Sequence, residues 1–167
     1  MKSFDIVTLT VNPALDKSAH FRGLVPEQKI RCDAPRFDAG GGGINVSKAI
    51  SRLAGTSLAV FTSGGSTGKM LEELLSKEAI EYESIPIQSW TRESFVAVDD
   101  NTNLQYRFSF QGAEISAMEK ERVIKAIQKL KCKFLVISGG LNEGLPSNFY
   151  QIFADIVKES HSKLIVD

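Results

Sequence analysis

The sequence predicts an α/β protein, with a mostly parallel sheet covered by helices on both faces and a small β-lid added to it. Three observations carry that reading. Short apolar, β-branched runs near residues 6–11, 58–61, 134–137 and 164–166 alternate with longer stretches of helical periodicity. Two segments, near 17–37 and 93–110, interrupt this rhythm with mixed polar and apolar residues typical of exposed hairpins. Finally, 167 residues of which 43% are apolar suffice for one sizeable core, and no Pro/Ser-rich linker marks a second domain.

The elements follow in order. Ile6 to Val11 is β-branched and stops at Asn12-Pro13, so a buried strand delivers its C-terminal end to a turn that continues to Asp16. From Asp16 to Phe37 charges interleave with single apolar residues around Pro26, a pattern for an exposed hairpin. Gly40 to Gly43 then open a segment in which Val46, Ala49, Ile50 and Leu53 recur at helical spacing, predicting an amphipathic helix with those four residues inward. Leu58 to Phe61 is the next strand, Ser63-Gly64-Gly65 a loop, and Met70, Leu71, Leu74 and Leu75 the inner stripe of a second helix. A strand over Tyr82 to Ile87 precedes the second hairpin, whose arms, Ser94 to Val98 and Gln105 to Phe110, flank an Asp/Asn-rich turn. There Tyr106, Phe108 and Phe110 read as one packed face.

Ser116-Ala117-Met118-Glu119 has the form of a capping box and opens a helix to about Leu130. Strand Phe134 to Ile137, a loop from Ser138 to Pro146, a helix with Phe149, Ile152, Phe153, Ile156 and Val157 inward, and strand Leu164 to Val166 complete the chain. Ligands of such folds sit beyond the carboxyl ends of the strands, so the loops at 12–16, 63–65 and 138–140 are expected to gather around a site.

Composition narrows the function. Twenty basic and twenty acidic residues cancel, which argues against a partner chosen by bulk charge, nucleic acid and anionic membrane included. Cys32 and Cys132 fit neither a zinc spacing nor a disulfide framework, and no apolar run reaches membrane-span length. A soluble, unprocessed, cytoplasmic protein is expected.

The glycine run supplies backbone free of side chains at a helix start, where N–H groups can approach an anion or a sugar oxygen; a flexible helix approach explains the same residues equally well. It is not a Walker A loop, because no Gly-Lys-Ser/Thr follows. A dinucleotide site would want an acidic residue about twenty positions on, and 58–63 offers none. Asp16 could accept hydrogen bonds from two sugar hydroxyls or form a surface turn. Lys29, Arg31, Arg92 and Arg107 could hold a phosphate or stand as solvated charges. His20 and His161 have no partner at metal or triad spacing.

Taken together, Asn12-Pro13-Ala14-Leu15-Asp16, Phe37 to Val46, Gly64-Gly65-Ser66-Thr67-Gly68 and Thr91-Arg92-Glu93-Ser94 resemble, in order and spacing, the PfkB group of ribokinase-like carbohydrate kinases. The four glycines and Lys29-Ile30-Arg31-Cys32 are most similar to its minor-type ATP-dependent 6-phosphofructokinases; 1-phosphofructokinases and tagatose-6-phosphate kinases commonly carry a lysine within that run. The resemblance implies a three-layer α/β/α domain whose lid also clasps the lid of a second copy in a homodimer. It implies substrate-binding roles for Asp16, Gly40, Gly41, Gly42, Gly43, Asn45, Arg92, Arg107 and Gly140, with Lys29 and Arg31 reaching the partner subunit's site.

It further implies ATP and Mg²⁺, and a fructose 6-phosphate or related sugar-phosphate substrate. The family's Gly-Ala-Gly-Asp helix start, which carries the catalytic base and anion hole, does not occur in residues 1–167, so the base is expected beyond Asp167 and no catalytic residue within the chain. The chain is therefore expected to supply the N-terminal, substrate-binding and lid half of a kinase about twice its length. A non-catalytic sugar-phosphate-binding or lid-mediated dimerisation module is the alternative. Ser138-Gly139-Gly140-Leu141-Asn142-Glu143-Gly144 departs from the group's usual Ser-Gly-Ser-Leu-Pro-Pro-Gly, with Gly140 in place of a serine.

Overall fold

A computed structural model describes residues 3–167. Two sheets share the chain. The core sheet contains β1 (Ser3–Thr10), β4 (Ser57–Ser63), β5 (Tyr82–Pro86), β8 (Lys131–Ile137) and β9 (Lys163–Val166), in the order β5-β4-β1-β8-β9 with every pair parallel. The lid sheet contains β2 (Ala14–Phe21), β3 (Arg36–Gly40), β6 (Arg92–Asp99) and β7 (Leu104–Ser109), in the order β3-β2-β6-β7. Each predicted hairpin is antiparallel, and the two join through a parallel β2–β6 pairing.

Helices α1 (Gly42–Arg52) and α2 (Gly65–Lys77) cover one face of the core sheet; α3 (Ala117–Gln128) and α4 (Gln151–Ser160) cover the other. Alternation along the strands sorts the side chains. Val7, Leu9, Leu58, Val60, Leu135 and Ile137 pack against Val123, Ile127, Phe149, Phe153 and Val157, with the rings of Phe149 and Phe153 edge to face at 5.3 Å. On the opposite face Ala59 and Phe61 pack with Ile44, Leu71 and Leu75, joined by Ala39 from the lid.

Three expectations change. The inner face of α1 is Gly43, Ile44, Ser47 and Lys48; Ala49 is exposed and Leu53 is 83% exposed. The facing β1 residues explain this, because Thr8 and Thr10 point at α1 and ask for polar partners: Ser47 Oγ lies 2.9 Å from Thr8 Oγ1. Asp16 stands within β2 rather than in a turn before it. Phe108 and Phe110, 51% and 60% exposed, are not packed away.

Residues 22–35 of the first excursion are a loop with one isolated bridge, Phe21 to Cys32, and β8 begins at Lys131 rather than Phe134. The capping box at Ser116 and Glu119 is present in full. Cys32 and Cys132 are both free. Among the described residues no helix is long and apolar enough to cross a membrane.

Candidate active site

The register of the lid sheet gives it two chemically different faces. Cross-strand partners share a face, so Asp38, Asp16, Ser94 and Ser109 form one row. Arg92 and Ala14 lie on the row below them, and Arg36, Ser18, Val96 and Arg107 on the row above. This face is largely polar. The other carries Phe37, Leu15, Ala19, Phe21, Phe95, Ala97, Tyr106 and Phe108, with Phe95 stacked on Phe108 at 6.0 Å and Phe21 tilted against Tyr106 at 5.9 Å.

Asp16 is half-buried on the polar face, with its carboxylate directly over Gly40. A methyl group at position 40 would occupy the space of that carboxylate, which is why the strand ends in glycine there. Burial raises the Asp16 carboxyl above the ordinary carboxylate range, against the opposing pull of Arg92, the Ser94 hydroxyl and Lys48. Arg92 is fixed from two sides: its Nε donates to Asn12 Oδ1 at 3.1 Å and its NH1 donates to Ser109 Oγ at 3.1 Å. Asn12 in turn donates from Nδ2 to the Leu141 carbonyl at 3.4 Å.

The glycine run turns the chain from β3 into α1. Gly41 caps the helix at φ 124, a conformation that side chains disfavour. Gly42 lies against Ser138 and Gly43 against Thr10 and the Leu9 carbonyl, so the helix start sits flush on the ends of β1 and β8. Gly43 N donates to the Ser138 carbonyl at 3.3 Å, and Ile44 N to Thr10 Oγ1 at 3.1 Å. Gly41 has no side chain with which to cap α1 and no acidic residue stands in its first turn, so the Thr10 hydroxyl and the Ser138 carbonyl satisfy the Ile44 and Gly43 N–H groups in their place. Asn45 is exposed in that first turn.

Of the three loops expected to gather, 12–13 and 138–141 meet the glycine run. The third, at 63–65, binds Thr91 instead: Thr91 N donates to the Gly64 carbonyl at 2.9 Å, and Gly64 N donates to Thr91 Oγ1 at 3.1 Å. That clasp sets the start of β6 and thereby Arg92. Gly140 is exposed and surrounded by open space, beside Gly139, whose carbonyl accepts a hydrogen bond from Tyr150 at 3.0 Å. Burial pushes the Tyr150 phenol up to about 12, so it remains a donor there at neutral pH.

Asp167 follows β9 and reaches the same loop. Its Oδ2 accepts from Ser138 Oγ at 3.0 Å, its carbonyl accepts from Gly139 N at 3.3 Å, and its own N–H donates to the Ile137 carbonyl at 3.0 Å. On the sequence Asp167 only marks the point beyond which a base is expected; in the fold it is a site neighbour that steadies Ser138 behind Gly42. Its carboxylate is engaged with Ser138 at the end of β8.

Arg107 shares the polar face with Arg92 but pairs with Val96, four residues further along β6. Lys29 and Arg31 lie in the loop beyond the far end of β2, on the rim of a concavity of about 650 Å³ shared with Arg22, Asp33 and Asp100. They do not stand beside Asp16 of their own chain. Sequence reading brings the loops of Asn12 and Ser138 to the site without giving either residue its partner, and it misses Ser109 and Asp167. The alternation that places Arg92 and Arg107 together also puts Ser94 and Ser109 on their face. Asn12 meets Arg92 across 80 residues and Asp167 meets Ser138 across 29, and neither contact leaves a local signal.

With this geometry in place, the pfkB family of carbohydrate kinases matches residues 3–167. The chain belongs to that family. It is 42% identical over 164 residues to the ATP-dependent 6-phosphofructokinase isozyme 2 of Mycobacterium tuberculosis, covering 97% of this chain and 48% of that protein. It is 38% identical over 141 residues to the isozyme 2 of Escherichia coli, covering 84% of this chain and 46% of that one. The crystal structure of the E. coli phosphofructokinase-2 in complex with fructose-6-phosphate superposes at a TM-score of 0.92 with 34% identity, over 98% of this chain and 55% of the other.

This pfkB chain thus spans about half the length of the curated relatives it matches. The α/β fold with its parallel core sheet is that of the family. Among the described residues no group of three His, Cys, Asp or Glu side chains converges to hold a metal ion. The Mg²⁺ implied by the family finds no ligand set among the described residues.

Proposed function

We propose that residues 1–167 form the sugar-phosphate-binding half and the lid of an ATP-dependent kinase whose substrate is fructose 6-phosphate, phosphorylated at its 1-hydroxyl. The observation that carries this reading is the meeting of Asp16 with the glycine cradle: a carboxylate over Gly40, a helix start at Gly41 to Gly43 free of side chains, and a braced guanidinium at Arg92. Asp16 accepts hydrogen bonds from two sugar hydroxyls, the glycine run and Asn45 meet the sugar at the start of α1, and Arg92 with Arg107 holds the substrate phosphate. Relatives named as 6-phosphofructokinases support the substrate class. A D-tagatose-1-phosphate kinase at 29% identity and a 1-phosphofructokinase at 26% show the neighbouring specificities.

ATP supplies the phosphoryl group. The base that takes the hydroxyl proton and the bulk of the nucleotide site are assigned to sequence beyond Asp167. The apolar outer face of the lid is assigned to a second copy, whose Lys29 and Arg31 reach across to this site. The solved tetrameric inhibited form of the E. coli phosphofructokinase-2 supports an assembling protein.

Calorimetric titration of the chain tests the reading. Fructose 6-phosphate is expected to bind at least tenfold more tightly than fructose, with Arg92→Ala abolishing the difference and Asp16→Ala weakening both. Equal affinity for the two sugars removes the proposed phosphate role of Arg92 and Arg107. Release of ADP from ATP by residues 1–167 alone, dependent on fructose 6-phosphate, overturns the placement of the base. Retained binding in a full-length product that never transfers phosphate favours the non-catalytic module.

A further inference from the structure

Lys48 is a charged side chain that the binding roles above leave unused, and it is only 8% exposed. It stands two turns into α1, on the face turned to the protein. Its Nζ donates to the Ala39 carbonyl at 3.2 Å and pairs with Glu78 Oε1 at 2.8 Å. Neither partner belongs to α1. Ala39 is the residue of β3 immediately before the glycine run, and Glu78 is the C-cap of α2.

A buried ammonium is expensive, and an apolar side chain of similar volume commonly serves stability as well or better. The return on the charge is therefore sought in what it holds. On the β1 and β8 side, the chain reversal at 40–43 is fixed by the Thr10 hydroxyl and the Ser138 carbonyl, which receive Ile44 N and Gly43 N. On the lid side Lys48 closes the same reversal, reaching from the helix back to the carbonyl that precedes Gly40. Glu78 anchors the ammonium to α2, which packs against β2 and β3. One side chain thus joins lid strand, cradle helix and second helix.

We propose that Lys48 is a positioning residue for the sugar-binding cradle: its ammonium ties Ala39 to α1 and α2 and so sets where Gly40 stands beneath the Asp16 carboxylate and where Gly41 to Gly43 follow it. The affinity consequence rests on the function proposed above; the local geometry does not. Hydrogen exchange and fructose 6-phosphate titration on the same chain separate the two. In Lys48→Met, amides 40–46 are expected to exchange at least tenfold faster while α3 and β8 are unchanged, and fructose 6-phosphate to bind at least tenfold more weakly. Lys48→Arg, which keeps a cation within reach of Ala39, recovers at least half of each loss on a logarithmic scale.

Unchanged exchange at 40–46, acceleration spread evenly over the whole core sheet, or Lys48→Arg behaving no better than Lys48→Met overturns the proposal. If Lys48→Met does not fold, Glu78→Gln at the half-exposed end of the pair is expected to raise exchange at 40–46 at least threefold; no rise there overturns it equally. A wild-type chain that binds no sugar phosphate sinks the function above but leaves the exchange comparison to decide the role of Lys48.

Discussion

At Asp16 the proposed binding role and stability pull against each other. Burial raises its carboxyl, and Arg92, the Ser94 hydroxyl and Lys48 offset only part of that. A carboxyl raised in the folded state contributes stability that is fully present below its unfolded value, about 3.9, and is lost as pH rises through the raised folded value. Asp16→Asn removes the cost of holding the ionised form. Its thermal midpoint is therefore expected to exceed that of the parent at pH 7, with the gap closing towards pH 4, while fructose 6-phosphate affinity falls at least a hundredfold. A lower midpoint at pH 7 contradicts this. Asp16 and Arg92 are legible in the sequence because each sits in a short motif beside a turn or strand start. Lys48 is not, because in a search for apolar spacing it reads as an interruption, and its partners come from two other elements.

Among the elements, α3 is the most readable and α1 the least. Ser116 and Glu119 cap α3 reciprocally, and the same carboxylate accepts Gln88 N at 2.7 Å, so the helix start also pins the segment leading to Thr91 and Arg92. Burial alone would raise the Glu119 carboxyl, but the hydrogen bonds from Ser116 and Gln88 overcome it and hold the group below its ordinary value. That stability is present above the unfolded value, about 4.3, and disappears as pH falls through the lowered folded one. Glu119→Gln is expected to cost about 1–2 kcal/mol at pH 7 in urea unfolding, with the difference from the parent shrinking below about pH 4. A constant difference across that range sinks the assignment. In α1 the apolar spacing gives the helical period correctly and the phase wrongly. The polar inner face answers Thr8 and Thr10 of β1, and no pattern internal to the helix announces what lies opposite.

For the molecule as a whole, alternation in the two hairpins reveals a lid, but not that its joining strands run parallel or that one face stays apolar and open. A cavity of about 230 Å³ opens on that face among Phe21, Leu24, Ile30, Phe95, Tyr106 and Phe108. An exposed apolar surface of this kind marks an association site. On the proposed lid-to-lid pairing the parent is expected to sediment as a dimer and Phe108→Asp as a monomer in sedimentation velocity; a dimer that survives the charge places the interface elsewhere. The β2–β6 pairing has a consequence in time as well. Arg92 meets Asn12 across 80 residues, and β3, α1, β4, α2 and β5 all lie between the two strands. The entropy of closing so long a loop must be met before that contact gives anything back. Pulse-labelled refolding is therefore expected to protect the amides joining β4 to β5 before those joining β2 to β6, and the opposite order refutes this. A ribosome releasing the chain exposes Asp16 before Arg92 and Ser94 exist, so its carboxylate waits for its flanking guanidinium and hydroxyl until β6 has been made.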